Sequence, residues 1–265
     1  MLGNVTSNIL FIVEGEEDEG KLLRKLNKVI DSNNIYSIFS FSTTIHEMHK
    51  LYIELKEDDF LTLQGLLKEN SNDESEKRIL SRRYKSIYLI FDFDPHYQKY
   101  SADIINDMYN FFNDSREYGK LFLNYPMMQS YRHMSRIPDP NFKLSKVSHS
   151  DCYEYKRIVG DESSYTDLNK YNFAVVINFI YHHYSKMNYL LNGKYNCGTI
   201  DEYISKNDEN LKRLLTLQNT LFGKSSEIYI INTSIFYIID LLPETFYKKY
   251  SNLLFRWIRI IETSI

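Results

Sequence analysis

Residues 9–13 (Ile-Leu-Phe-Ile-Val) run without a polar interruption into Glu14 and Gly15, and the pattern then changes within a few residues. A continuous apolar run with β-branched and aromatic types suits a strand covered on both faces, as in a parallel sheet. From Glu16 onward, Leu22, Leu23, Leu26, Val29 and Ile30 recur at helical spacing, so the stretch reads strand, glycine turn, amphipathic helix. No other stretch constrains the fold as much, because a strand buried on both faces demands covering helices. In open α/β sheets the strand-to-helix corner is also where sites lie.

The same alternation continues. Residues 35–43 alternate apolar and small polar residues, the period of a half-buried strand. Ile45, Met48, Leu51, Tyr52 and Leu55 then predict a helix, with Thr44 available as its N-cap. A further helical piece over 60–67 leads into residues 68–77, a run too polar to bury, expected as an exposed loop or frayed helix end. Residues 86–94 form a second strongly apolar strand that also ends in acids, a helix follows over 103–113, and residues 120–126 supply a fourth strand ending at Pro126. The pattern βαβαβαβ implies an α/β fold, with a mainly parallel, Rossmann-like four-stranded sheet flanked by helices. Beyond Pro126 the alternation is lost. Residues 139–170 are polar and irregular, and 171–191, 200–222, 228–241 and 244–262 read mainly as helices. The expected organisation is therefore residues 1–130 as the α/β domain and 131–265 as a helical region packed on it.

With 265 residues, 43% of them hydrophobic, the chain can bury a real core. A formal net charge of −3 argues against a protein coated in positive charge, so nucleic-acid binding would need a local basic patch. Two cysteines, Cys152 and Cys197, are too few for a disulfide framework or a four-thiolate zinc site. Together with the lack of a leader-like or membrane-spanning stretch, they suggest a cytoplasmic protein with no membrane partner.

Glu14 at the end of one strand, and Asp92 and Asp94 at the end of another, meet if the two strands are parallel neighbours. Residues two apart on a strand point the same way, so Asp92 and Asp94 can present carboxylates to one volume. Asp18 falls in the first helical turn, where the dipole favours a carboxylate, and can face the same volume. Several enclosed carboxylates repel one another unless a cation compensates, and hard oxygen ligands suit Mg²⁺ or Mn²⁺. Acids also end strands and cap helices for purely structural reasons, and that reading stays open. Two basic clusters could hold a phosphate backbone: Lys77, Arg78, Arg82, Arg83 and Lys85, and Arg132, His133 and Arg136. His96, directly after the aspartate pair, is a further candidate near phosphate or metal. His46 and His49 lack the spacing of a zinc-protease helix and read as ordinary partly buried histidines. His182 and His183 interrupt an apolar helix, where at least one is expected to leave the buried face. No Gly-x-x-x-x-Gly-Lys-Ser/Thr loop is present, so ATP hydrolysis by this chain is not expected.

The segment Val13-Glu14-Gly15-Glu16-Glu17-Asp18-Glu19, followed by a strand ending Asp92-Phe93-Asp94, resembles the glutamate and Asp-x-Asp motifs of TOPRIM-fold proteins. It is most similar to OLD-type nucleases and the small TOPRIM proteins of phage-defence systems. The resemblance covers roughly residues 7 to 130. It implies a TOPRIM-like fold and Mg²⁺-dependent breaking or joining of phosphodiester bonds in DNA or RNA. It further implies Glu14 as metal ligand or proton-transfer group, Asp92 and Asp94 as metal ligands, Asp18 as the additional acid, and a separate ATPase partner. Phe93 stands where a glycine is common. Gln129, in Asn124-Tyr-Pro-Met-Met-Gln-Ser130, stands where an acid is expected, which puts a second metal site in doubt. Three functions follow: a divalent-metal-dependent nuclease, a catalytically reduced TOPRIM scaffold binding protein or nucleic acid, and a small-molecule phosphotransfer enzyme.

Overall fold

The computed structural model describes residues 8–15, 17–30, 35–94, 101–139, 141–249 and 251. Strand β1 (Asn8–Val13) passes through the Glu14-Gly15 turn into helix α1 (Glu17–Ile30), and β2 (Ile35–Ser40) follows. Three helices, α2 (Ile45–Glu57), α3 (Leu63–Asn70) and α4 (Glu74–Leu80), lead to β3 (Ser86–Asp92). The polar run at 68–77 thus spans a helix end and a new helix, and is not simply a loop. Asp73 starts α4 by accepting from the Ser75 N–H at 2.6 Å, which offsets the segment's lack of apolar residues. Helix α5 (Ala102–Phe111) and the two-residue β4 (Asn113–Asp114) precede β5 (Gly119–Tyr125).

The sheet order is β2-β1-β3-β5-β4, and β1 pairs in parallel with both β2 and β3, as β3 does with β5. β1 and β3 are fully buried apart from an end residue each, which is why both read as unbroken apolar runs. The expectation that the strands carrying Glu14 and Asp92 are parallel neighbours holds: Val13 stands level with Ile90.

The sheet has six strands, where four were expected. β4 pairs antiparallel with the start of β5, and the end of β5 pairs antiparallel with a strand from the far end of the chain. That strand lies in the second half, which runs through β6 (Lys146–Ser148), α6 (His149–Cys152), α7 (Tyr155–Glu162), α8 (Phe173–Asn192) and α9 (Ile200–Ser225). It ends with β7 (Glu227–Tyr229), β8 (Ile231–Asn232) and α10 (Tyr237–Leu241), and residues 243–249 are again helical. Residues 228–241 are therefore two short strands and a short helix, not one helix. β7 pairs with β6, and β8 pairs with β5 across Asn124 and Asn232. These partners outweigh the helical period of the apolar run.

The two halves share a core. Phe11, Tyr88 and Phe122 stack across β1, β3 and β5 at ring separations of 5.8 and 6.1 Å, and Tyr237 of α10 packs edge-on against Phe11 at 4.9 Å. α1 packs on α8, and α5 on α9. At the amino end of β5, buried Lys120 pairs with Asp208 of α9 and Asp240 of α10, both at 2.9 Å. The long helices have well-formed ends: Asn172 caps α8, Gly193 closes it in the left-handed conformation, and Thr199 with Glu202 forms a capping box on α9. No helix among the described residues is long and apolar enough to cross a membrane.

Candidate functional site

Because β1 and β3 run in parallel, their carboxyl ends deliver Glu14 and Asp92 to the same place. The Glu14 backbone extends the ladder by donating to the Ile90 carbonyl at 3.2 Å, and its carboxylate Oε2 accepts the Asp92 N–H at 3.0 Å. Glu19, on the first turn of α1, folds back over Gly15: a Cβ there would stand 2.8 Å from the Glu19 carboxylate, so glycine leaves room for it. Glu19 was not singled out in the sequence because its reach depends on that turn.

The electrostatics are unfavourable to charge. Burial pushes the Glu14 carboxyl up to about 7; the Asp92 N–H opposes this, while the charges of Glu19 and Asp94 add to it. Burial pushes Asp92 well above the carboxylate range, helped by Glu14 and Glu19 and opposed by donors from Asn124 and Met128. Burial is also the main cause that raises Glu19. These three acids are thus poised to hold protons or to meet a cation.

A third wall comes from the chain after β5. Asn124, fully buried, donates from Nδ2 to Asp92 Oδ1 at 3.3 Å, and accepts the Ser234 N–H at the same distance. The following 3-10 turn, Met128–Arg132, presents the Met128 N–H to Asp92. Asn232 of β8 holds that turn by donating to the Met128 carbonyl at 2.9 Å. His183 holds it too: Nδ1 accepts the Asn232 N–H at 2.9 Å, so Nε2 donates to the Tyr131 carbonyl at 3.1 Å. Both His182 and His183 are buried, against the expectation that one would leave the apolar face. His182 is satisfied as a neutral ring, accepting the Asp139 N–H on Nε2 at 3.2 Å and donating from Nδ1 to the Tyr195 hydroxyl at 2.7 Å.

Asp18 is engaged elsewhere. Its Oδ2 is 2.5 Å from Lys156 Nζ of α7 and accepts from Gln129 Nε2 at 3.1 Å. Lys156 first, and then Gln129, hold its carboxyl below the usual range. Lys156 lies 138 positions from Asp18 by subtraction of their numbers, so nothing local in the sequence announces it.

The remaining candidates have these positions. The Asp94 carbonyl lies 3.2 Å from His46 Nε2, which brings a histidine of α2 to the end of β3. Burial pushes that imidazole down. His133 sits between the Tyr155 hydroxyl at 3.0 Å and Glu162 at 2.8 Å, and Arg132 donates to the Thr166 carbonyl at 3.0 Å. Arg136 is exposed. His96 lies outside the described residues. The cluster from Lys77 to Lys85 precedes β3, so it is separated from Asp92 by the strand's length, roughly 20 Å at about 3.3 Å per residue.

Among the described residues no three His, Cys, Asp or Glu side chains are arranged as a ready metal cage. Glu14 and Asp92 instead use neutral donors. The donor set is nonetheless of the hard-oxygen kind that Mg²⁺ or Mn²⁺ takes. No family model, curated protein or solved structure matches this chain.

Proposed function

We propose that the protein is a divalent-metal-dependent nuclease of TOPRIM type that hydrolyses phosphodiester bonds in DNA or RNA, and that it works with a separate ATPase partner. The observation that carries the reading is the meeting of Glu14 and Asp92 at the carboxyl ends of adjacent parallel strands, both with raised proton affinity. Glu14, Asp92 and Asp94 would hold Mg²⁺ or Mn²⁺, and the ion would supply Lewis-acid polarisation of a phosphate oxygen. In place of holding the ion, Glu14 can take or give a proton to the reacting groups. Asn124 and the Met128 N–H orient the Asp92 carboxylate. Arg136, exposed beyond the turn, is the group of its cluster available to a substrate backbone.

The Gln129 departure bears on metal count. An acid there would face Asp18 across about one hydrogen bond and would need a cation between them. Gln129 donates to Asp18 instead, and Lys156 provides the positive charge. We therefore favour one resident ion over two. The same observation supports a second reading, a catalytically reduced scaffold that binds protein or nucleic acid, because Asp18 is satisfied without metal.

The test is cleavage of DNA and RNA by the purified chain with Mg²⁺ or Mn²⁺, with and without candidate ATPase partners. Asp92→Asn and Glu14→Gln should each lower metal-dependent cleavage by about 100-fold or more while leaving the fold intact. No cleavage by the unaltered protein, together with no change in melting on adding Mn²⁺, would favour the binding scaffold.

A further inference from the structure

A second polar site stands apart from the acidic corner and shares no lining residue with it. The carboxyl half of α8, the residues joining it to α9 and the amino half of α9 line a cavity of about 610 Å³, a size suited to a cofactor-sized ligand. Two of its donors belong to largely buried side chains in the lining and have no protein acceptor among the described residues. Tyr184 is only 2% exposed, its ring fixed against Tyr203 and Phe236, yet its hydroxyl has no hydrogen-bond partner among the described residues. Asn210 is 5% exposed; its Oδ1 accepts from Arg213 at 3.3 Å, and its Nδ2 is left without an acceptor among the described residues. Two donors on one cavity wall, on side chains held by packing, form a surface suited to a ligand with acceptors.

The charges agree. Arg213 is held in one orientation by neutral oxygens: Nη1 donates to Asn192 and Asn210, both at 3.3 Å, and Nη2 to the Leu191 carbonyl at 3.1 Å. Its charge is therefore positioned but not neutralised. Lys194 and Lys206 stand exposed at the rim. The acid in this lining, Glu202, closes the capping box by accepting the Thr199 N–H at 2.9 Å, and its other oxygen lies 3.9 Å from Lys206 Nζ. Three cations against one committed carboxylate leave the lining positive and rich in donors. A phosphate, with three oxygens and up to two negative charges, matches this donor set and its excess of cations better than a single carboxylate does. Tyr184 and Asn210 are also too deeply buried for the backbone of a duplex to reach.

We propose that this cleft binds a small phosphorylated molecule of about mononucleotide size, with Tyr184, Asn210 and Arg213 donating to phosphate oxygens and Lys194 and Lys206 closing the rim. This does not depend on the nuclease reading. The test is calorimetric titration of the full chain, without divalent ions, using ADP, inorganic pyrophosphate and a single-stranded oligonucleotide as separate probes. ADP or pyrophosphate should saturate one site per chain. Tyr184→Phe, which removes only the hydroxyl, and Arg213→Gln should each weaken binding by at least about tenfold, equivalent to about 1.4 kcal/mol. Glu14→Gln should leave binding unchanged. Thermal melting verifies folding, and the isosteric Tyr184→Phe keeps the test intact if Arg213→Gln is unstable. The proposal is overturned if neither ADP nor pyrophosphate binds, if only the oligonucleotide binds, or if both variants bind within about twofold of the parent.

Discussion

Replacing Glu14 by glutamine should stabilise the metal-free protein while removing its proposed activity. The Glu14 carboxyl is raised from 4.5 to about 7. Between those values the folded state holds a proton that the unfolded state has lost, so stability falls as pH rises through this window. Below about 4.5 both states are protonated and no penalty exists; above about 7 the full cost applies, roughly 3 kcal/mol for a shift of about 2.5 units. A glutamine amide carries no charge, and its oxygen can still accept the Asp92 N–H. Removing the Glu14 charge also relieves Asp92, which it pushes in the same direction. At about 2 °C per kcal/mol for a chain of this size, Glu14→Gln should melt roughly 6 °C higher than the parent at pH 8 in EDTA, with the gain vanishing near pH 4.5. The assay is thermal unfolding by circular dichroism across pH 4 to 8, reversibility being checked at each pH. An unchanged or lower melting temperature at pH 8, or a gain independent of pH, would refute the electrostatic account of the corner.

Other outcomes follow from the same structure. Mn²⁺ should raise the melting temperature of the parent at pH 8 and leave that of Asp92→Asn unchanged, read by the same unfolding experiment. Lys120→Ala leaves Asp240, buried and hydrogen-bonded to Tyr203 at 2.5 Å, without its cation; denaturant titration should show a loss of about 3–5 kcal/mol. Burial depresses His182 to about 4 and holds His183 well below the usual histidine range, so the unfolded state takes up protons first as pH falls below about 6.5. Stability should then decline towards pH 4, His182 alone accounting for about 3 kcal/mol, and His182→Gln should flatten that limb of the pH profile. Asn124→Ala removes the donor to Asp92 and the acceptor for Ser234 N–H from a fully buried position and should cost about 2–3 kcal/mol by denaturant titration.

The parts of the fold legible in sequence are those where local pattern and tertiary burial agree. β1 and β3 are unbroken apolar runs because helices cover both sheet faces, and α8 announces itself through Val176, Ile177, Ile180 and Tyr184, all buried. The failures occur where a distant partner decides. Ile228 and Ile231 fit a helical stripe as well as a strand, and only pairing with Val147 and Tyr125 makes them strands. His182 and His183 look too polar for a buried face until Tyr195, Asp139, Asn232 and Tyr131 supply their hydrogen bonds. At the site, Glu14 and Asp92 were legible because strand ends are marked by where apolar runs stop. Glu19 depended on a glycine turn, and Lys156 on the packing of a helix across the chain.

The attachment of β8 also orders events in time. Asn124 is braced by the Ser234 N–H, 110 positions later, and the turn that faces Asp92 is held by Asn232. At a synthesis rate of about 5–20 residues per second, those braces are made roughly 5–20 s after Asn124 itself. A nascent chain has its β1 and β3 acids long before it has the wall that aims them. A growing chain therefore completes its acidic corner only once Asn232 and Ser234 have been made, and one broken off before Asn232 lacks that corner's support.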